Sequence, residues 1–218
     1  NMLDGVKSDC CNRCYDVEHV GQWSLRQSAN AVRYEKNKDI IDATNEDGSI
    51  DEFKLQYVDI RWSNICNFKC RSCGPEFSSL HAKEFIENKG GIEKLQQYFR
   101  MDNMVVSCNA DNSFFDKVKP YLKDVDEVYF AGGESLITGE HYKMLDEWIA
   151  LGNTDIRLTY TTNFSVFKHK GKNVIDYWKK FKNIQIFASL DGMGKNLEYL
   201  RSGADWAEIE DNIKMLKQ

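Results

Sequence analysis

The sequence predicts an α/β fold built on parallel strands. Three observations carry that expectation. Short apolar or alternating runs recur along the chain, each followed by a segment of helical periodicity. The strand–helix alternation repeats four times, which implies parallel strands joined by right-handed crossovers. Polar and glycine-rich motifs fall where the strands end, the position at which parallel α/β folds place their chemistry. Both a barrel and an open doubly wound sheet fit this pattern.

The elements follow in order. Residues 1–50 are polar, carry clustered cysteines and hold few apolar runs. The turn Asn45-Glu46-Asp47-Gly48-Ser49 marks a boundary, so a small segment (1–50) precedes a larger domain (51–218). Tyr57 to Trp62 alternates and predicts the first strand. A cysteine-rich loop comes next, then helical stretches over 76–88, 91–99 and 113–123. Glu127 to Ala131 predicts the second strand, which runs into Gly132-Gly133. His141 to Leu151 has helical periodicity, with Leu145, Trp148 and Ile149 on one side. Asp155 to Thr161 is the third strand. Asn173 to Phe181 is a helix carrying Val174, Tyr177, Trp178 and Phe181. Ile184 to Leu190 is the fourth strand, and helices over 194–201 and 205–217 close the chain. The chain opens on Asn and ends within an amphipathic pattern that has no stop signal, so both termini are expected to be cut points in a longer protein.

Of the 218 residues, 42% are apolar and 12% aromatic, a composition that supports a buried core and argues against disorder. Lys and Arg number 29 against 34 Asp and Glu, a net charge of -5. That balance argues against nucleic acid held by bulk positive charge. No apolar run reaches the roughly 20 residues of a membrane span. The first five residues lack the basic start and apolar stretch of a secretory signal. The expected location is therefore the cytoplasm, where the seven cysteines are metal ligands or catalytic groups rather than disulfides.

The central motif is Cys66-Asn67-Phe68-Lys69-Cys70-Arg71-Ser72-Cys73, directly after the first strand. Three thiolates within eight residues can wrap one face of a soft metal or cluster. A closed zinc site would need a fourth ligand, and His81, eight residues on in a helical stretch, is poorly spaced for it. A partial zinc site and free thiols remain alternatives on spacing alone. The spacing Cys-x3-Cys-x2-Cys after the first of several strand–helix units resembles the signature of the radical S-adenosylmethionine (SAM) superfamily. The resemblance covers residues 55 to 218. It implies a partial (β/α) barrel, truncated after four βα units where a full family core has six. It further implies a 4Fe-4S cluster on Cys66, Cys70 and Cys73, whose open iron binds S-adenosylmethionine. Reductive cleavage of that cofactor would yield a 5′-deoxyadenosyl radical. Many family members carry an aromatic residue just before the third cysteine, near the adenine. Here Ser72 stands there, so an adenine contact must come from backbone or elsewhere. Phe68 is a candidate to shield the cluster or to pack in the core.

The resemblance extends to the strand ends. Gly132-Gly133-Glu134 resembles the family motif that receives the methionine amino group. Thr161-Thr162-Asn163 and Ser189-Leu190-Asp191-Gly192 resemble its polar strand-end motifs. Ser189 and Arg201 resemble the pair that holds the methionine carboxylate or the ribose side. Helix capping is the alternative for Asn163 and Asp191, and a solvated helix charge for Arg201. Near the N-terminus, Cys10-Cys11-Asn12-Arg13-Cys14 resembles the end of a SPASM/Twitch-type auxiliary cluster domain. Cys11 and Cys14 would be ligands of a second iron–sulfur cluster, held in part by this segment. Cys10 is ambiguous, because neighbouring side chains of an extended stretch point opposite ways. A zinc knuckle or free thiols are the alternatives there, and Cys108 has no assigned role. Relatives with auxiliary clusters often modify peptides, so family analogy implies a peptide or protein substrate and an electron donor such as flavodoxin or ferredoxin. A radical SAM enzyme acting on a small metabolite or nucleoside, and a non-catalytic zinc-binding module, are the competing readings.

Overall fold

A computed structural model of the chain describes residues 5–33, 38–111 and 113–216. Asn1 to Asp4 at the opening, and Lys217 at the end of the expected last helix, lie outside the described residues. The chain divides into two units, Asn1–Phe53 and Lys54–Gln218.

The first unit is helical where the sequence predicts only a polar segment. Its helices are α1 (Asn12–His19), α2 (Leu25–Arg33) and α3 (Lys38–Asp42). A 3-10 turn, Asp9–Cys11, leads into α1, so Cys10 and Cys11 sit in a tight turn and not in an extended stretch. The α1–α2 link is polar. Glu18 accepts from the Ser24 hydroxyl at 2.5 Å and from Arg26 Nε at 3.1 Å. Ser24 is the only buried residue described in the unit, while Val20, Trp23, Leu25 and Val32 stay exposed. These helices are short, and Leu25 and Val32, at helical spacing on α2, are exposed and not buried against a core.

The second unit begins with β1 (Tyr57–Ile60), β2 (Lys69–Cys70), α4 (Ser79–Lys89), α5 (Gly91–Phe99) and α6 (Ser113–Val118). It continues through β3 (Glu127–Phe130), α7 (Gly139–Ala150), β4 (Arg157–Thr162), β5 (Lys168–His169) and β6 (Lys172–Asn173). It closes with α8 (Val174–Trp178), β7 (Asn183–Ala188), α9 (Gly194–Leu200), β8 (Arg201–Ser202) and α10 (Trp206–Leu216). Strands β1, β3, β4 and β7 form one parallel sheet in that order. The order follows the sequence without reversal, whereas a doubly wound sheet reverses at a switch point.

Register explains the alternating pattern. Val58, Val128, Leu158 and Ile184 make one row across the sheet, and Ile60, Phe130, Tyr160 and Ile186 another. Both rows pack with Tyr142, Leu145 and Trp148 of α7 and Trp178 of α8 in the main core. Burying each such large side chain stabilises the fold by roughly 1.5–3 kcal/mol. The intervening row, Asp59, Tyr129, Thr159 and Gln185, faces the other way and is polar. The sheet thus has one apolar face under the helices and one polar face.

Two expected helices are shorter than their periodicity predicts. The 113–123 stretch is α6 followed by a 3-10 helix, Lys119–Asp124, because Pro120 lacks the N–H that an α-helix needs. The 173–181 stretch is only α8. Beyond it, Lys180 N donates to Tyr177 O and Phe181 N to Trp178 O, tightening the chain into turns. Helix α4 starts three residues later than expected, at the residue after Ser78, whose hydroxyl accepts from His81 N and caps it.

Candidate functional site

The cysteine loop leaves the end of β1 and is held on three sides. The first hold is backbone. Gly133 N donates to Ser63 O at 3.0 Å and Glu134 N to Ile65 O at 2.7 Å, so the turn after β3 lies directly on the residues before Cys66. Only glycine permits that approach. A Cβ on Gly133 would stand 2.2 Å from Ile65 O, and Gly132 adopts φ +111°.

The second hold comes from buried amides. Asn64 Nδ2 donates to Pro75 O and Met104 O, both at 3.0 Å, and its Oδ1 accepts from Val106 N at 2.9 Å. Asn67 Oδ1 accepts from Asn163 Nδ2 at 2.8 Å, and Asn67 Nδ2 donates to Ser165 Oγ at 2.9 Å. Asn163 Oδ1 accepts in turn from Ser165 N at 3.1 Å, so Asn163 both caps its own turn and reaches the loop. The third hold is α4. Ser78 Oγ donates to Phe68 O at 2.7 Å, and His81 Nε2 bonds Cys70 O at 2.8 Å. His81 therefore braces the loop through a carbonyl.

These holds place Cys66, Phe68, Cys70, Ser72 and Cys73 around a cavity of about 160 Å³. The facing wall is made of strand ends: Gly132 and Gly133 after β3, Thr161, Thr162 and Asn163 at β4, Ser189 after β7, with Arg201 of β8. Phe77 and Ser78 complete the lining. Phe68 is 1% exposed and packs with Leu197 and Ile209, so it is a core residue that also lines the cavity.

Within the second unit, two of the site residues singled out in the sequence, Glu134 and Asp191, stand outside that lining. Glu134 is fully buried and turned into its own bend. Its Oε1 accepts from Leu136 N at 3.2 Å and Thr162 Oγ1 at 2.9 Å, and its Oε2 from Asn163 N at 2.7 Å. Its carboxylate pins the turn after β3 to the end of β4, a task that sequence reasoning does not reveal. Burial pushes its pKa up, and the three hydrogen bonds oppose that rise. Asp191 pairs with Arg201 Nη2 at 2.9 Å and is the more exposed partner. Cys11 and Cys14 belong to the first unit, Cys11 just before α1 and Cys14 in its first turn. Among the residues that sequence reasoning missed, Asn64 and Asn67 act across long sequence separations, Ser78 and His81 reach back only 10 and 11 residues, and Phe77 carries no motif.

The thiols differ. Burial raises the pKa of Cys66. Cys70 and Cys73 share a hydrogen bond that raises Cys70 and lowers Cys73 to about 6, with Arg201 and His81 adding to the fall. Arg201 Nη1 lies 3.5 Å from Cys70 Sγ. Among the described residues no group of three or more His, Cys, Asp or Glu side chains is drawn tightly enough to hold a metal ion. No described helix is long and apolar enough to cross a membrane.

No family model matches the chain, and no curated protein matches it. Among solved structures it is similar to Streptococcus suis SuiB bound to S-adenosylmethionine, at 18% identity and TM-score 0.43. That likeness covers 90% of this chain and 39% of the other. It is similar also to Streptococcus suis SuiB bound to precursor peptide SuiA, at 22% identity and TM-score 0.39. There 83% of this chain and 34% of the other are covered. The chain thus spans well under half the length of the structures it matches.

Proposed function

We propose that this chain is a radical SAM enzyme, with a 4Fe-4S cluster held by Cys66, Cys70 and Cys73 and a peptide or protein as substrate. One observation carries the reading: three thiols of a single loop share a cavity with the ends of three parallel strands. A closed zinc site needs a fourth ligand, whereas a cluster with an open corner needs three thiolates beside free space. Three thiols lining one cavity with the strand ends suit the second arrangement.

When bound, the cluster and S-adenosylmethionine supply one-electron cleavage of the sulfonium and a 5′-deoxyadenosyl radical. The chain's own residues bind and orient. Phe68, closed behind the loop, packs beside the buried Cys70 and keeps water from that side. Glu134 has both oxygens engaged by its own turn and the end of β4, so in this reading the backbone of Gly132-Gly133 faces the methionine amino group. Ser189 and Arg201 take the carboxylate. Phe77, half exposed on the same rim, offers the aromatic face that Ser72 cannot. A cavity of about 160 Å³ takes a compact group. A ligand of cofactor size, which fills roughly 300 Å³ or more, must extend over the open rim. The reading takes the four-stranded sheet as part of a (β/α) barrel, and takes Cys11 and Cys14 as two ligands of a second cluster in a SPASM/Twitch-type segment. A one-electron donor of the flavodoxin or ferredoxin kind would supply the reductant, in the cytoplasm.

Anaerobic reconstitution with iron and sulfide tests this. The expected result is a brown protein that forms 5′-deoxyadenosine from S-adenosylmethionine under dithionite, an activity that Cys70→Ala abolishes. Two thiolates cannot hold a cuboidal cluster with an open corner. A colourless protein that takes up zinc, or undiminished 5′-deoxyadenosine from Cys70→Ala, sinks the reading.

A further inference from the structure

The cysteine loop is joined to a distant part of the chain by a short antiparallel ladder. Lys69 pairs with Ser202 and Cys70 with Arg201. Arg71 N donates to Leu200 O at 2.8 Å, Arg71 Nε to Tyr199 O at 3.1 Å, and the Arg71 guanidinium lies 3.9 Å from the Tyr199 ring centroid. These bonds clamp the loop against the end of α9. They also place Arg201 directly opposite Cys70, across 131 residues of sequence.

The Arg201 side chain is only 11% exposed, and Cys70 only 4%. Arg201 Nη1 lies 3.5 Å from Cys70 Sγ and Nη2 lies 2.9 Å from Asp191 Oδ2. Nε is buried and has no hydrogen-bond partner among the described residues. The guanidinium is therefore fixed at both ends of its fork, with a sulfur on one side and a carboxylate on the other. In so little water a cation acts strongly on a neighbouring charge. Hydrogen bonds to cluster sulfurs and local net charge are among the levers that set an iron–sulfur reduction potential.

We infer that Arg201 tunes the reduction potential of the iron–sulfur group by donating Nη1–H to the Cys70 sulfur, and that Asp191 holds the guanidinium in place while partly offsetting its charge. The inference rests on the cluster reading above. Reduction adds one electron and makes the thiolate-bound group more negative, so a cation beside Cys70 favours the reduced form. Arg201 is thus a positioning residue acting through a ligand, in addition to any contact it makes with a bound carboxylate.

The test is a redox titration of the reconstituted full chain, without S-adenosylmethionine, poised with dithionite and followed by electron paramagnetic resonance. Arg201→Met is expected to favour the oxidised form at least tenfold, a shift of about 59 mV to more negative potential for one electron. Asp191→Asn is expected to shift the potential the opposite way, because it removes a negative charge and leaves Arg201 in place. The half-exposed Asp191 variant keeps the test decisive even if Arg201→Met does not fold. Equal potentials in a cluster-loaded parent and Asp191→Asn, or shifts of the same sign in both variants, overturn the inference alone. A parent that takes up no iron and sulfide overturns the cluster reading and the inference together.

Discussion

Gly133→Ala is the sharpest perturbation of the cavity wall. Its effect follows from distances to backbone, not from propensity. The added Cβ would lie 2.2 Å from Ile65 O, 2.7 Å from Ile65 C and 2.7 Å from Asn64 C. None of these atoms ends a flexible side chain, so relief requires parting the turn after β3 from the residues before Cys66. That movement breaks or stretches the Gly133 N to Ser63 O and Glu134 N to Ile65 O hydrogen bonds. Each is worth about 0.5–1.5 kcal/mol. Overpacking adds roughly 1–3 kcal/mol. The expected loss is about 2–6 kcal/mol, which for a chain of this length lowers Tm by on the order of 10 °C. Urea and thermal melts measure it. Gly139→Ala is the internal control: Gly139 opens α7 and a Cβ there meets nothing within 4 Å. That variant is expected to melt at or slightly above the parent, since alanine in a helix is favoured by up to about 1 kcal/mol. A Gly133→Ala protein within about 1 kcal/mol of the parent, or a Gly139→Ala protein damaged as badly, would refute the close-approach argument.

Glu134→Gln keeps the size of the side chain but turns one acceptor into a donor. One of the N–H groups of Leu136 and Asn163 then loses its partner, at a cost of about 1–3 kcal/mol. A urea midpoint unchanged from the parent would remove Glu134 from its pinning role. His141 is fully buried and bonds Tyr160 Oη at 3.0 Å. Burial lowers its pKa from 6.5 to about 3. Below pH 6.5 the unfolded chain takes up a proton that the folded chain refuses, so stability falls by up to about 1.4 kcal/mol per pH unit between 6.5 and 3. His141→Phe should be less stable at pH 7 but show a flatter decline on acidification. Parallel pH profiles for parent and variant would count against a neutral buried imidazole.

The parallel α/β character was legible because strand rows such as Val58, Val128, Leu158 and Ile184 alternate with polar neighbours. Alternation survives in sequence when one face of a sheet packs under helices. Cys66, Cys70 and Cys73 were legible as neighbours because eight residues cannot carry them far apart. The braces were not legible. Asn64 is 42 residues from Val106, and Asn67 is 96 from Asn163, with no period linking them. The β2–β8 ladder pairs two residues with two, too short for any pattern. Glu134 shows a different limit. Its place in a Gly-Gly-Glu triplet says where the turn lies, but the direction of its side chain depends on Thr162 and Asn163, donors supplied by another strand. The helices of the first unit escaped notice because they are short and their apolar residues, Leu25 and Val32 among them, are exposed.

Apart from His81 and Arg71, the braces share one chemical property that bears on how the site works. Asn64, Asn67, Asn163, Ser78 and Ser165 hold the loop through neutral amides and hydroxyls, and the Gly133 and Glu134 contacts with the loop are backbone. The positions of the three sulfurs therefore do not depend on the charge state of these groups, whatever the pH. Charge enters the cavity wall at Arg201, which faces Cys70 and is balanced from outside the lining by Asp191. Among the described residues that line the cavity Arg201 carries the positive charge, so an anionic group entering it meets that guanidinium. The β2–β8 ladder keeps that guanidinium at a fixed distance from the Cys70 sulfur. Geometry and electrostatics are thus assigned to different residues. A substitution among the asparagines should disturb the uptake of iron and sulfide, while a substitution at Asp191 should change the energy of the bound group without changing how much of it is bound.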